Sequence, residues 1–599
     1  EDWYRHENAI RSKRINGTFS ARWHLGDHVI KGGFDYLSNQ VANTFGLGLH
    51  GSYGFYDKNN SGSPVDEILA GDYGVYKKTY LPTGVSIDAV SGTWKYTQIS
   101  PFLQDTWQVN RKLSLNYGVR INIPGADRAP PVAINAATGV SYWQEAFGYA
   151  PNTKLGSKNK VIEPRLSFNY QFDNKLKAQL RGGAGLFQTV PPYVWLTNPY
   201  SNNGVTSVVG YRSNDPAANP FSKDPYNQPG PTSATAGNCT NLGCSIDTLS
   251  PNFKLPTALK ISLGYDTELP WWGLKGSVEN IMIHARNAIA YQQPNLGNPV
   301  GTMPDGRLRY LNGSGANPNI STGATVLTNT DKGISNALTF SLSKEAKEGL
   351  SGAVSVTLAH ASDVNAGSAS QANSNFNYYA RVNPNDLVSA NSRFNVPLTL
   401  KATLSWERMY FGNNRTTLSV YYSGRNGLPY SWVFGNDVNG DRLPSGTDLA
   451  YIPQVNDPLV SYGSATQAQI DAFHAYIDND LYLRSHRGQI AGRNASNSPW
   501  VNNLDVGVRQ EVPGFVGKDK FVIGLDIYNF LNLLNKNWGQ TNNAGFFGTR
   551  TLANASRSTD GTKYVYDISR APSAYTLYDA NVSRAVSRWQ MMLTMKYQF

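Results

Sequence analysis

The sequence predicts an all-β fold, a transmembrane antiparallel β-barrel with long external loops. Three observations predict it. Apolar and polar side chains alternate strictly in long segments, short turns join these segments in pairs, and long polar stretches separate one pair from the next. A period of two places one face of a strand in an apolar medium and the other in a polar one. About 16 strands are visible, and we expect them to be part of a barrel of 22 or more.

The alternation is clearest in the segments 113–121, 165–172, 259–266 and 394–407. A strand in a soluble sandwich usually has about five or six residues, whereas a tilted strand needs about 9–11 to cross a bilayer. The length of these segments therefore favours membrane-spanning strands. We expect the apolar set Leu113, Leu115, Phe168, Leu398 and Leu404 to face lipid, and the charged set Lys112, Arg120, Arg165, Lys401 and Glu407 to face the lumen.

The connections have two lengths. Polar stretches rich in Gly, Pro and Asn, such as 123–160, 189–255, 286–332 and 425–499, separate the hairpins. Short turns on one side and long loops on the other are the arrangement of outer-membrane barrels. Within the last loop, Phe473, Tyr476 and Ile477 at helical spacing predict a short helix over 471–480. The eight predicted hairpin turns lie near Gly26-Asp27, 109–111, 173–174, 270–272, 345–349, 411–413, 513–517 and 586–587.

The composition argues against several other classes of protein. The chain has 599 residues and a net charge of +11, but its Lys and Arg residues are scattered singly. This pattern favours solvated strand faces over a nucleic-acid surface, so we expect no nucleic-acid partner. The sequence contains no run of eighteen apolar residues, so it predicts no transmembrane helix. No Ser/His/Asp set and no phosphate-binding Gly loop stands out, so we expect neither an enzyme nor a catalytic cofactor.

A family resemblance begins in the hairpin formed by 100–107 and 113–120. These segments read S-P-F-L-Q-D-T-W and L-S-L-N-Y-G-V-R, and they resemble a hairpin of TonB-dependent receptors. The order of the later motifs resembles that of the Oar-like subgroup, and the likeness runs over most of 90–599. Those motifs are Tyr482-Leu483, His486-Arg487-Gly488, Arg493-Asn494, Pro499-Trp500, Leu504-Asp505, Gln510-Glu511, Asn529-Phe530-Leu531-Asn532-Leu533-Leu534-Asn535 and Trp538-Gly539.

The resemblance implies a receptor in the bacterial outer membrane, surrounded by lipid. It would bind an external ligand (a peptide, protein or carbohydrate) at its loops and move it with energy from TonB. No signal peptide or plug domain is visible, so we expect 1–599 to be the C-terminal barrel portion of a longer receptor. The region that binds TonB would then lie outside this chain. Two alternatives stay open: a passive 16-stranded porin, and a non-transporting adhesin or surface binding protein.

One loop carries the spacing of a calcium site. Counting Asp437 as position one, Asn439, Asp441, Leu443 and Asp448 fall at three, five, seven and twelve. Side-chain oxygens, with a backbone carbonyl at position seven, are the ligands of a calcium loop, and we predict a structural Ca²⁺ here. Arg442 at position six and Asp448 at position twelve depart from the usual Gly and Glu. The alternatives are a polar Asx turn and an ion pair of Arg442 with Asp437 or Asp448.

Two further groups are candidates for the external side. Cys239 and Cys244 are separated by four residues in the long 189–255 stretch, where an external location favours a disulfide over a pair of free thiols. Four aromatic residues, Tyr378, Tyr379, Tyr430 and Trp432, are candidates for stacking on a ligand. The alternative for these aromatics is an interfacial girdle or packing between loops.

Overall fold

The structure, a computed structural model, is dominated by one antiparallel sheet. It describes residues 5–57, 63–81, 91–151, 154–189, 193–205, 209–230, 246–311, 313–320, 323–347, 349–542, 544, 547–569 and 587–599. Fifteen strands follow one another as neighbours in chain order, and the short strand Ala390–Asn391 brings the sheet to sixteen. The fifteen are β1 (Arg5–Leu25), β2 (His28–Leu47), β3 (Gly92–Gln108), β4 (Leu113–Ala126), β5 (Val161–Phe172), β6 (Ala178–Gln188), β7 (Thr257–Glu268), β8 (Leu274–Arg286), β9 (Ile334–Lys347), β10 (Leu350–Asp363), β11 (Leu398–Phe411), β12 (Asn414–Arg425), β13 (Val501–Pro513), β14 (Lys520–Tyr528) and β15 (Gln590–Gln598).

We call the fifteen consecutive strands the wall. Seven of the eight predicted turns are confirmed, and each joins two neighbouring strands of the wall. Gly26 and Gly412 occupy the left-handed region with φ of 61° and 60°, as tight turns require. The eighth turn, near 586–587, is wrong. β15 pairs directly with β14, and the carbonyl of Ser587 accepts from Asn529 Nδ2 (3.1 Å) at the loop end of β14. Ser587 therefore lies at the end of the sheet opposite to the short turns. Residues 570–586 are outside the described part.

The direction of the wall strands restricts how the sheet can close. Fourteen antiparallel pairings connect β1 to β15 in sequence. An even number of reversals leaves β1 and β15 running in the same direction. The two outermost strands of the described wall would therefore pair in parallel if they met, whereas bacterial outer-membrane barrels are antiparallel with even strand numbers.

The two faces of the wall separate by chemistry as the alternation predicts. Leu115 pairs with Phe168 on one face, and Arg120 pairs with Glu163 on the other. On the apolar face, Leu404 is 51% exposed in the isolated chain, as a lipid-facing side chain would be. Lys112 is the exception, because it lies in the turn before β4 and its Nζ is 3.1 Å from Asp173 Oδ2 in the adjacent turn.

The long connections form smaller elements of their own. No helix in the described ranges is long and apolar enough to cross a membrane. The predicted helix in the 425–499 loop is confirmed as Gln467–Asn479, with Phe473, Tyr476 and Ile477 buried. The other helices are Pro64–Ala70, Tyr142–Phe147, Tyr193–Ser201, Ala372–Asn377, Leu481–Ser485 and Phe530–Leu534, with a 3₁₀ turn at Ser157–Asn159. The loop strands are Ser52–Gly54, Val75–Tyr80, Val209–Ser213, Asp247–Leu249, Ala288–Gln292, Gly301–Thr302, Leu308–Arg309, Thr325–Thr330, Pro429–Phe434, Tyr451–Ile452, Val460–Ser461, Gln489–Ile490, Ser496–Asn497, Thr549–Arg557 and Tyr564–Asp567.

The loops pack against one another into a body with its own apolar cores. One core gathers Trp432, Phe434 and Tyr566 with residues of the helix Gln467–Asn479. A second core joins Trp94 and Tyr96, near the loop end of β3, to other loop residues. We call these assembled loops the external body. Because the cores are buried, the external body is a packed structure above one end of the wall.

Candidate external-loop site

The predicted calcium loop lies between the strands Pro429–Phe434 and Tyr451–Ile452 of the external body. Its residue Val438 belongs to the first core and Leu443 to the second, so the loop joins the two. The backbone turns sharply at Gly440 and Arg442, with φ of 74° and 66°. Arg442 thus adopts the left-handed conformation for which a calcium loop ordinarily uses Gly at position six.

Side chains of this loop cap its own backbone. Asp437 accepts through Oδ1 from the N–H of Gly440 (2.8 Å) and through Oδ2 from the N–H of Arg442 (3.0 Å). Asp441 Oδ1 accepts from the N–H of Leu443 (2.9 Å). Asp448 Oδ2 accepts from the N–H of Val438 (2.9 Å), which ties the end of the loop to its start. These contacts fold the five predicted ligand residues into one compact turn.

The candidate ligands are deeply buried. Asn439, Asp441, Asp448 and Leu443 are at most 6% exposed, and Asp437 is half-buried. The Oδ2 atom of Asp441 is buried without a hydrogen-bond partner. Burial, together with the nearby Asp441 carboxyl, raises the pKa of Asp448 to about 7, and burial raises the pKa of Asp441 as well.

Two buried arginines accompany these carboxylates. Arg307 Nη1 is 3.8 Å from Asp448 Oδ1, but its Nη2 pairs at 2.7 Å with Asp305 Oδ2. The Arg381 guanidinium donates to three backbone carbonyls, those of Phe376, Tyr379 and Pro384.

Arg442 does not form the ion pair that was the alternative to a calcium site. It forms no ion pair with Asp437 or Asp448 among the described contacts. Its side chain is exposed and its guanidinium lies against Gly313, where a Cβ atom would come within 2.8 Å of Nη1. In the described ranges, no three His, Cys, Asp or Glu side chains by themselves form a metal-binding group. The carboxylates of Asp437, Asp441 and Asp448 therefore lie in one turn but do not form a metal-binding group by themselves.

The stacking prediction does not hold for two of its four aromatic residues. Tyr430 and Trp432 are 2% and 1% exposed and lie in the first apolar core. The strand Pro429–Phe434 is buried on both faces, so these rings cannot reach an external ligand. Tyr378 is exposed and stacks on Phe547, with ring centroids 4.7 Å apart. Tyr379 is partly buried, and the Arg381 guanidinium lies 3.8 Å from its ring centroid.

The predicted disulfide stays a prediction, because Cys239 and Cys244 lie outside the described residues.

The sequence predicted only part of a cavity on the polar face of the wall. A cavity of about 520 Å³ opens on the polar face of β1–β7, lined by Lys31, Arg120, Arg165 and Lys260. The lumen-facing prediction for Arg120 and Arg165 is confirmed. What the sequence missed is that the registers bring Lys31, Arg165 and Lys260 into one row across the strands. Arg165 pairs with Glu163, and Arg120 pairs with Asp35, which also lines the cavity.

One family model matches most of the chain. The chain matches the family model "Outer membrane beta barrel domain" over residues 5–560. No curated protein sequence gives a significant match.

The solved structures that the chain resembles include two transporters and one receptor. The copper transporter OprC is 10% identical with a TM-score of 0.42, and the match covers 88% of this chain and 53% of OprC. The FrpB iron transporter from Neisseria meningitidis (F5-1 variant, apoprotein) is 11% identical with a TM-score of 0.42, covering 88% and 52%. A mutant of the ferric enterobactin receptor PfeA from Pseudomonas aeruginosa is 12% identical with a TM-score of 0.43, covering 98% and 54%.

The chain thus spans about half the length of these solved structures. The family model matches far more than half of the chain, and the described wall has the long antiparallel strands that such a domain requires. This chain belongs to the outer membrane beta-barrel domain family, and its place is the bacterial outer membrane.

Proposed function

We propose that this chain is the barrel of a TonB-dependent receptor of the Oar-like kind. An external ligand, a peptide, protein or carbohydrate, binds at the external body and is moved across the outer membrane with energy from TonB. The order of the motifs between 90 and 599 supports this proposal, as does a packed external body above a wall with a polar face. The TonB-binding region and the plug lie outside this chain.

The directions of the outermost strands restrict how the barrel closes. β1 and β15 run in the same direction, so the fifteen wall strands cannot close as an antiparallel barrel. An odd number of further strands has to stand between them. A receptor barrel of 22 strands needs seven more and a 16-stranded porin needs one, and both numbers are odd. The strand directions therefore exclude only a pore built from the described wall alone, which would leave two long edge strands unpaired in the membrane. The choice of a receptor over a 16-stranded porin is carried by the order of the motifs between 90 and 599.

The experiment that tests this proposal uses the full-length protein purified in detergent. We expect it to bind the periplasmic domain of TonB in a pull-down and to give no steady KCl conductance in planar bilayers. Steady conductance together with no TonB binding would instead support the porin. Deletion of tonB should abolish ligand accumulation in cells but leave surface binding intact. An adhesin would bind at the surface equally well and show no accumulation in either strain.

A further inference from the structure

The cavity on the polar face of the wall is crossed by a row of cations. Lys31 on β2, Arg165 on β5 and Lys260 on β7 lie at one level of the sheet, because each register step pairs them through the strands between. Neighbouring strands lie about 4.8 Å apart, so the Arg165 backbone is about 10 Å from that of Lys260 and about 14 Å from that of Lys31. Long side chains at these spacings can reach into one cavity.

The charges around this cavity do not balance. Four cations and two carboxylates lie there: Lys31, Arg120, Arg165 and Lys260, with Asp35 and Glu163. Asp35 pairs with Arg120, and Glu163 pairs with Arg165. Lys31 and Lys260 form no ion pair with any other described residue, so two positive charges remain on this part of the lumen-facing surface.

The Arg165 guanidinium is held in place from behind. Its Nη2 donates to Glu163 Oε2 (2.5 Å), and Glu163 is only 2% exposed. Glu163 Oε1 in turn accepts from Asn122 Nδ2 (3.0 Å). The side chain of Arg165 is still 44% exposed, and a guanidinium has five N–H donors. Arg165 can therefore keep its pair with Glu163 and bind an anion with its remaining donors.

Two aromatic rings line the same cavity and indicate what else it accommodates. Phe102 and Phe187 both belong to its lining, on the face where the alternation predicts polar side chains. Lys31 Nζ is 5.6 Å from the ring centroid of Phe102, and the Arg165 guanidinium is 4.6 Å from that of Phe187. Each ring thus lies beside a cation of the row. Ligand pockets of about 300–1,000 Å³ combine such apolar surfaces with a few polar groups, and this cavity of about 520 Å³ has both.

We propose that this cavity binds an organic anion that has an apolar part. The carboxylate or phosphate of the anion lies between Arg165 and Lys260, and its apolar part packs on Phe187. Lys31 and Phe102 provide a second charged and apolar pair for a longer ligand. A cation beside a ring suits an amphiphilic molecule better than a row of Asp or Glu side chains from the protein itself. The inference rests on the proposed function, because it narrows the external ligand to one that carries such a group.

The test uses the full-length protein in lipid nanodiscs and isothermal titration calorimetry, with the heat of empty nanodiscs subtracted. The probes are naphthyl phosphate, neutral naphthamide and inorganic phosphate. We expect saturable binding of naphthyl phosphate and at least about tenfold weaker binding of the other two, the order of one hydrogen bond to a charged group. Raising NaCl from about 0.1 M to about 1 M shortens the Debye length from about 10 Å to about 3 Å and should weaken the binding.

Variants place the binding in this cavity. Lys260→Gln should weaken naphthyl phosphate by about tenfold, because it removes one charged donor. Phe187→Leu should weaken it by about threefold, because it removes the ring but keeps an apolar side chain. The matched control is Lys401→Gln, since Lys401 is another exposed lysine on the polar face, on β11 and outside the cavity lining. This control should bind as the wild type does.

The proposal is overturned if the wild type shows no saturable binding of naphthyl phosphate, or if Lys260→Gln binds it as tightly as Lys401→Gln does. Equal affinity for naphthamide would also overturn it, since the probe would then only partition into apolar surface. If Lys260→Gln lowers the melting temperature of the ligand-free protein and leaves binding unchanged, the row pairs with an acidic segment of the protein instead. Binding of naphthyl phosphate without a TonB interaction would contradict the proposed function alone, and a TonB interaction without anion binding would contradict this site alone.

Discussion

A charge placed on the apolar face of β11 should destabilise the protein according to its depth in the membrane. Leu404 and Arg408 lie on the same face, and Arg408 is four residues nearer the short turn at Gly412. Four residues span about 13 Å along a strand, or about 9 Å of depth at a tilt of about 45°. The apolar band is about 25 Å tall. If Arg408 marks its edge, Leu404 lies near its middle.

The expected cost follows from that depth. An arginine at the bilayer midplane costs about 2–4 kcal/mol, falling to about 0–1 kcal/mol near the interface. Leu404→Arg should therefore lower the free energy of unfolding by about 2–4 kcal/mol, and Tyr410→Arg, close to the turn, by about 1 kcal/mol or less. The control is Thr403→Arg, because Thr403 is exposed on the opposite, polar face. There an arginine meets water, and we expect a change of less than about 1 kcal/mol.

The assay is urea unfolding of the protein folded into phospholipid vesicles, followed by tryptophan fluorescence. The assignment of faces would be refuted if Thr403→Arg cost as much as Leu404→Arg. The depth argument alone would be refuted if Tyr410→Arg and Leu404→Arg were equally destabilising. In either case the wall would have to be rotated or shifted relative to the bilayer.

Three further predictions concern the external body. Asp305→Ala should lower the free energy of unfolding of the protein by about 3–5 kcal/mol, because buried Arg307 would lose its close partner and keep only the 3.8 Å contact with Asp448; thermal unfolding should show that the double variant with Arg307→Met recovers most of the loss. Trp432→Ala should cost about 3–5 kcal/mol, since the ring is in a core, and an equal cost for Tyr378→Ala would contradict that placement. Burial raises the pKa of Asp247 to about 7. The folded state therefore holds its proton longer than the unfolded one, and stability should fall as pH rises from about 4 to 7. Asp247→Asn should remove this part of the slope in thermal unfolding, and an unchanged slope would contradict it.

The wall could be predicted from the sequence because apolar and polar residues alternate along a strand that has one apolar and one polar face. Leu115 and Arg120 were assigned to opposite faces on that basis, and the registers confirm it. The turn near 586–587 was wrong for a different reason. Which strand β15 pairs with depends on contacts across more than fifty residues, and no local pattern in Trp589 to Phe599 specifies that partner.

The external body was harder to predict, because its loops are buried by one another rather than by lipid. The segment Pro429–Phe434 is apolar or aromatic at every position except Ser431, and such a nearly continuous run is typical of a strand buried on both faces. That signal was available and would have placed Tyr430 and Trp432 in a core. The position of Arg307 and Arg381 beside Asp448 had no such signal, because it results from packing of three separate segments.

The most direct test of the account is a cryo-electron microscopy map of the full-length protein in detergent. The account predicts an antiparallel barrel in which an odd number of further strands stands between β1 and β15, with the apolar face outward and the external body above the end opposite to the short turns. A map in which β1 hydrogen-bonds directly to β15 would contradict it.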